Sequence, residues 1–311
     1  MGESTVRIAA IDIGSDTVHL LIADATRDAD GIRVEKVEQE GELLLPGHVV
    51  ARDGRIGGHV AELEAVVRRY ADRARGHGDR TVVGATEALR AASDGVEVVD
   101  RLAGRIGLTI RILSGGRESA LGLLGAGRRL EATGTQLLID SGGASTELTL
   151  TSGRAATGSA SLPVGAAQLG ASMRGDPPEP LSWALEAMQV GVALASAPAG
   201  QPGRAWATGG TAHNLGGLER AGVGGHGDGT RLTLADLGDL ATRLLAEPAE
   251  KVAHRSGEDP KRVAILAPGL LILAAVLAHY GLDEVTVVAE GLRDGMVAAA
   301  FDRGDDWWRD A

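Results

Sequence analysis

Apolar residues along this chain fall into two kinds of run. Short runs of Val, Ile, Leu and Ala, closed by Gly, Asp or Ser, predict buried strands. Longer stretches with apolar residues three and four apart predict helices. Residues 6–13 and 17–24 read as a strand pair, and residues 32–45 (IRVEKVEQEGELLL) alternate in part and add a third strand. Gly57 to Arg75 carries Val60, Leu63, Val66, Val67 and Ala71 at helical period. Thr81 to Ala85 is a strand that runs through GATEALRAASDG into a helix start; Val96 to Ile106, Thr109 to Leu113 and Gly116 to Ala126 read as helix, strand and helix. Gly127 to Gly134 is the expected boundary. Beyond it come a hairpin over Thr135 to Ser152, a strand from Ala155 to Leu162, a loop at GDPPEP and a helix over Leu181 to Ala197. The strand Ala205 to Thr208, the helix Thr211 to Arg220, the glycine loop Gly222 to Gly229 and a helix over Thr233 to Leu245 follow, with Thr233 or Asp236 as its cap. Asp259-Pro260 opens a long apolar helix with a break at its start; Glu284 to Ala289 is a strand, Leu292 to Phe301 a helix, and DDWWRDA a tail that docks through Trp307 and Trp308.

One pattern occurs twice. LLIDSGGASTELTL (Leu137 to Leu150) is a strand, an aspartate, a glycine turn and a second strand, and so is IAAIDIGSDTVHLLIAD (Ile8 to Asp24). Both fit D-x-G-x-x-[ST]: Asp12, Gly14, Thr17 and Asp140, Gly142, Ser145. Glycines in such turns allow positive φ and let backbone N–H groups approach an anion. Each copy alone is also compatible with an ordinary hairpin. Two copies about a domain apart predict two related halves facing each other across a cleft. With AWATGGTAHNL (Ala205 to Leu215) as a third glycine turn, the arrangement resembles the actin, sugar-kinase and chaperone-ATPase superfamily. The expected fold is therefore α/β, with two actin-like (ribonuclease H-like) domains with mixed sheets. The expected domains are 1–126, with residues from about 298 to 311 packing back on it, and 127–297.

Composition narrows the function classes. The chain has 311 residues, 44% hydrophobic and only 2% aromatic, so its cores are aliphatic. It has no cysteine, which excludes disulfides and thiolate metal sites and fits a cytoplasmic location. No signal-peptide pattern opens it, and the longest uncharged apolar run, Val263 to Ala278, is short for a membrane span, so no membrane partner is expected. A net charge of −11 argues against a nucleic-acid surface. It also means that a polyanionic substrate must be held locally, by Arg, backbone N–H groups and a metal.

Between the two hairpins, LSGGRESALGLLG (Leu113 to Gly125) delivers Glu118 onto the first turn of a helix. A carboxylate there can align water for attack on phosphorus, or simply favour the helix dipole. IDIGSDTVHLLIAD, ATEALRAA, LSGGRES, LLIDSGGASTEL, SLPVGA, ATGGT, the Arg262…Pro268-Gly269 helix and EGLRDGM, in this order, resemble the exopolyphosphatase/guanosine pentaphosphate phosphatase (Ppx/GppA) family in its short two-domain form. The resemblance covers nearly the whole chain. It implies a hydrolase that releases terminal orthophosphate from polyphosphate or guanosine pentaphosphate, linked to the stringent response. Glu118 would be the general base and Arg90 and Arg262 the cations at the transferred phosphate. Asp140 and Glu147, with Asp12, would hold Mg²⁺ (or Mn²⁺). Gly14, Ser15, Asp16, Thr17, Gly142, Gly143, Ala144, Ser145, Gly209, Gly210 and Thr211 would line the phosphate site. A homodimer is a further implication of the family.

The departures are as specific as the matches. Asp16 stands where the family has Asn, and Ala144 where it has Gly. Arg117 replaces the first acid of a Glu-Glu pair, which would add positive charge beside the base and help hold a polyanion. Ala264 replaces an Asp, and GELLLPGHV has no counterpart of a family Arg. The altered phosphate loops leave two alternatives open: a non-catalytic sensor of polyphosphate or guanosine polyphosphates, and an ATP-dependent small-molecule kinase. His19 and His213 have no second His at metal spacing and read as packed residues.

Overall fold

The structure is a computed structural model that describes residues 5–77, 79–221 and 227–309. Most of the expected Gly222 to Gly229 loop, residues 222–226, lies outside the described residues. The strands are β1 (Val6–Ile13), β2 (Thr17–Asp28), β3 (Gly31–Leu43), β4 (Arg80–Ala85), β5 (Ile110–Ile112), β6 (Thr135–Ser141), β7 (Thr146–Ser152), β8 (Ala155–Leu162), β9 (Arg204–Thr208), β10 (Arg231–Thr233) and β11 (Glu284–Val287). The helices are α1 (Pro46–Asp53), α2 (Val60–Arg75), α3 (Glu87–Ala91), α4 (Gly95–Ile106), α5 (Gly115–Ala126), α6 (Ala166–Ser172), α7 (Pro180–Ala193), α8 (Gly209–Ala221), α9 (Leu234–Ala246), α10 (Ala249–Ser256), α11 (Pro260–Tyr280) and α12 (Leu292–Arg303).

These elements form two units, one from Met1–Arg128 with Glu290–Ala311, the other from Arg129–Ala289. The first holds a five-stranded mixed sheet in the order β3-β2-β1-β4-β5. β1 is antiparallel to β2 and parallel to β4, as a hairpin followed by βα crossovers requires. Both faces are covered. Ile11, Ile13, Val18 and Leu20 pack against Leu63, Val67 and Tyr70 of α2 and Leu102 of α4. Ile8, Ala10, Leu21 and Val82 pack against Leu121 of α5 and Met296 and Val297 of α12. The second unit holds a six-stranded sheet in the order β10-β11-β9-β6-β7-β8. Read from β8 to β11 it repeats the first sheet's order and strand directions, with β10 added at the edge. This is the actin-like α/β topology in duplicate.

The elements differ from expectation in two ways. α1, α6, α10 and β10 are additional, because they are short and depend on tertiary hydrogen bonds. α11 is one continuous 21-residue helix with Pro268 inside it, not a helix broken at its start. The carbonyl of Ala264, four residues before the proline, loses its N–H partner but lies at an exposed residue. By length and composition α11 is apolar enough to cross a membrane, yet Ile272, Leu273, Val276 and Leu277 are buried in the second unit's core.

Candidate active site

β6 and β7 bring the acidic pair of the second unit together. Asp140 is the cross-strand partner of Glu147 and lies beside Thr208 of β9. Directly opposed residues of antiparallel strands point to one face, so the two carboxylates are neighbours. Glu147 is only 5% exposed. A buried carboxylate needs a donor, and Ser161 of β8 gives its hydroxyl to Glu147 Oε1 at 2.7 Å. The third glycine turn closes around Asp140. Gly209 has φ 88°, and a Cβ there would stand 2.6 Å from Asp140 Oδ1. This is a cradle that only glycine leaves open. It suits Mg²⁺, a hard cation that keeps several waters and takes one or two carboxylates plus substrate oxygens. Among the described residues no group of three or more His, Asp or Glu could hold a metal.

The phosphate loops differ from expectation in how they use glycine. Gly142 N–H donates to the Ser145 carbonyl at 3.0 Å and Gly14 N–H to the Thr17 carbonyl at 3.2 Å. Those two amides close their own turns and are not available to phosphate oxygens. Neither Gly14, Gly142 nor Gly143 has positive φ. Space is the reason for glycine instead: a Cβ on Gly14 would meet the Thr17 carbonyl oxygen at 2.8 Å. Ala144 likewise sits at an ordinary φ, so its Cβ does not strain the turn. The second loop is held by α6, whose Ala166 and Gln168 amides donate to the Gly142 and Gly143 carbonyls at 2.9 and 2.8 Å. A Cβ on Gly165 would come within 2.3 Å of Ala144 N, so SLPVGA supplies both the Glu147 partner and the close approach beneath the loop. Ser145 is buried just before β7.

Gly210 and Thr211 open α8. Thr211 is buried and packs against Gly269, where a Cβ would lie 2.4 Å from its methyl group. Gly210 faces Arg262, whose Nη1 is 4.0 Å from the glycine's Cβ position. Arg262 is half-buried in the first turn of α11, the end of a helix that disfavours a cation. It makes no ion pair among the described residues. A cation so placed is suited to an anionic ligand.

In the first unit the equivalent positions carry different chemistry. Asp12 is opposite His19 and beside Gly84, so the acidic pair of the second copy is an Asp–His pair here. Asp12 therefore belongs to a different unit from Asp140 and Glu147. The loop is pinned by the start of α1 and the residues before it: the Ser15 carbonyl accepts from Gly47 N–H at 2.7 Å, and the Asp16 carbonyl from Leu44 and Leu45 at 2.9 and 2.8 Å. GELLLPGHV thus buttresses the loop with backbone. Ser15 Oγ accepts the Ala88 amide at 3.1 Å and so satisfies the N-terminus of α3. Thr17 is buried at the start of β2, and the Asp16 side chain is half-buried.

Glu118 lies in the first turn of α5, which Ser114 caps by accepting from Arg117 N–H at 3.1 Å. It is 6% exposed and paired with Arg90 of α3. The Arg90 guanidinium also donates to the Leu113 carbonyl and to Glu87, three residues before it on the same helix. Burial pulls the Arg90 pKa down, but Glu118 and Glu87 outweigh it and the net shift is upward. Arg90 is therefore shared between two carboxylates and holds Glu118 in place. Arg117 has a role that its spacing did not suggest. It is 4% exposed, and its guanidinium donates to the Trp307 carbonyl, so it also anchors the tail. Sequence reasoning gave no role to Ser161, Gly165 and Glu87. For Glu87 the i, i+3 spacing from Arg90 was the available signal.

Residues 54–303 match the model of the Ppx/GppA phosphatase family. The chain is 31% identical to an uncharacterized protein of Streptomyces coelicolor, over 97% of this chain and 93% of that one. It is 26% identical to Exopolyphosphatase 1 of Mycobacterium leprae, over 97% and 91%. The crystal structure of the Aquifex aeolicus Ppx/GppA family member shares the fold, with a TM-score of 0.79 at 24% identity over 97% of this chain and 99% of that chain. With its duplicated sheets, its two D-x-G-x-x-[ST] turns and this match, the chain belongs to the Ppx/GppA phosphatase family.

Proposed function

We propose that this protein is a Mg²⁺-dependent phosphohydrolase that releases orthophosphate from the end of inorganic polyphosphate or from guanosine pentaphosphate. The observation that carries the reading is the buried Glu118, clamped by Arg90 at the head of α5. Family membership and the named activity of the mycobacterial relative support the hydrolase class. Glu118 accepts the proton of the attacking water, and its clamp keeps the carboxylate from rotating away. Arg262 binds oxygens of the transferred group, and the Gly143 and Ala144 amides approach the phosphate from their loop. Asp140 and Glu147 would hold Mg²⁺, which when bound offsets charge on the phosphate oxygens. Phosphoryl transfer needs positioning and charge stabilisation more than covalent chemistry, and these residues supply both.

The test is orthophosphate release from long-chain polyphosphate with Mg²⁺, wild type beside Glu118→Gln, with guanosine pentaphosphate run in parallel. Release that the substitution abolishes is the expected outcome. Saturable binding of either compound without release by the wild type would overturn the proposal in favour of a sensor.

A further inference from the structure

Glu87 stands at the first position of α3, between two residues whose main chain is tied down. Thr86 N–H donates to the Ile13 carbonyl at 3.2 Å, and Ala88 N–H to Ser15 Oγ at 3.1 Å. Its backbone is therefore fixed to the end of β1 and to the loop that follows. A helix of five residues has little dipole for a carboxylate to offset. The Glu87 side chain instead accepts from Arg90 Nη2, while Arg90 Nη1 donates to Glu118 Oε1 and to the Leu113 carbonyl. Two carboxylates thus hold different arms of one half-buried guanidinium, the Glu87 side chain at 23% exposure and that of Glu118 at 7%.

We propose that Glu87 is a positioning residue that sets the basicity of Glu118 through Arg90. This rests on the reading of Glu118 as the proton acceptor. An arginine alone with one carboxylate commonly grips it with both arms, and such a pair holds the carboxylate as the anion. A base held so firmly takes up a proton poorly. Glu87 occupies Nη2 and with it a share of the charge. Glu118 is then fixed at Oε1 by the other arm and keeps its affinity for a proton. The burial of Arg90 strengthens this division, since charges act more strongly out of water. The neighbouring elements carry further charges: Asp12 on β1, Arg111 on β5, His48 and Arg52 on α1, Asp94 at the head of α4, Asp294 on α12, and Arg117 next to Glu118 itself. All of them are common to wild type and variants, so a difference between the two reads Glu87 alone.

The test follows the proton on Glu118 directly. Wild type, Glu87→Gln and Glu87→Asp are labelled with carbon-13 at the glutamate carboxyl and titrated by nuclear magnetic resonance. Loss of a signal in Glu118→Gln identifies Glu118. Glu87→Gln keeps an acceptor for Nη2 but removes the charge, so Glu118 should titrate at lower pH than in the wild type. Glu87→Asp keeps the charge and should bring the titration most of the way back. In orthophosphate release the acid limb of kcat/KM should move the same way in Glu87→Gln, with kcat about 3–10-fold lower and KM within about twofold. A Glu118 titration unmoved by Glu87→Gln, or moved as far by Glu87→Asp, would overturn the proposal. So would a KM that falls while the acid limb stays, because Glu87 would then be withholding Arg90 from phosphate. If the wild type releases no phosphate, the proton-acceptor reading fails, and the titration still decides whether Glu87 acts on Glu118. Glu87→Ala, which removes charge and acceptor together, should shift the titration the same way and takes the place of a Gln variant that does not fold.

Discussion

Glu118 and Ser161 touch different parts of the proposed reaction, so their substitutions separate them. Glu118→Gln keeps the shape and the hydrogen bond from Arg90 but removes the proton acceptor. It should lower kcat by about 10²–10⁴-fold with little change in KM. A loss below about tenfold, in steady-state phosphate release, would remove Glu118 from that role. Ser161→Ala takes away the donor to Glu147 and should weaken metal binding about 10–100-fold, as loss of a ligand's partner does. The readout is Mn²⁺ binding by electron paramagnetic resonance without substrate, and Ser161→Thr should restore it. Motif spacing pointed to Asp140 at its strand end and to Glu118 after a glycine turn, with a helix-dipole role left open for Glu118, whereas Glu147 came only from the family resemblance. Spacing could not show where a long side chain points. Arg117 reads as positive charge beside Glu118, and its guanidinium reaches the Trp307 carbonyl, a partner 190 residues away. Nor could it show that the Gly14 and Gly142 amides are consumed within their own turns.

At the scale of elements, α5 and α12 cross at two glycines. A Cβ on Gly295 would stand 1.8 Å from the Leu121 carbonyl oxygen, and one on Gly125 2.0 Å from that of Gly291. Both contacts are with backbone, which cannot step aside, so Gly295→Ala should destabilise the protein by at least about 1–3 kcal/mol, measured by urea unfolding. α11 carries a pH signature at its last residue. Tyr280 donates its hydroxyl to the Pro198 carbonyl at 2.7 Å, and burial pushes its pKa up to about 12. The folded state holds the proton more tightly than the unfolded chain. Its contribution is thus complete below about pH 10, the unfolded value, and is lost as pH rises through about 12. Tyr280→Phe should flatten the fall in thermal stability across that window, as followed by circular dichroism. Long periodic elements such as α2, α9 and α12 were legible because periodicity accumulates over several turns. α1 was not, since its start is set by a left-handed Leu45 and by Gly47 bonding the Ser15 carbonyl. α11 was misread only at Pro268, where a freed carbonyl at an exposed residue costs less than breaking the helix.

For the molecule as a whole, the duplicated strand–glycine–strand pattern was the most informative feature, because one repeated topology explains both sheets. The first unit is assembled from the two ends of the chain, whereas the second is one continuous stretch. This has a consequence for synthesis. The second unit can complete its core as soon as residue 289 has left the ribosome. At that moment the first sheet still lacks α12 and Trp307, so Ile8, Ala10, Leu21 and Val82 have no helix 292–303 to cover them. A chain ended at residue 289 should bind a hydrophobic dye, and adding residues 290–311 should abolish that binding. Of the two units, the one whose sheet is made first is then the last to be finished. Until then it depends on whatever in the cell shields unfinished apolar surface.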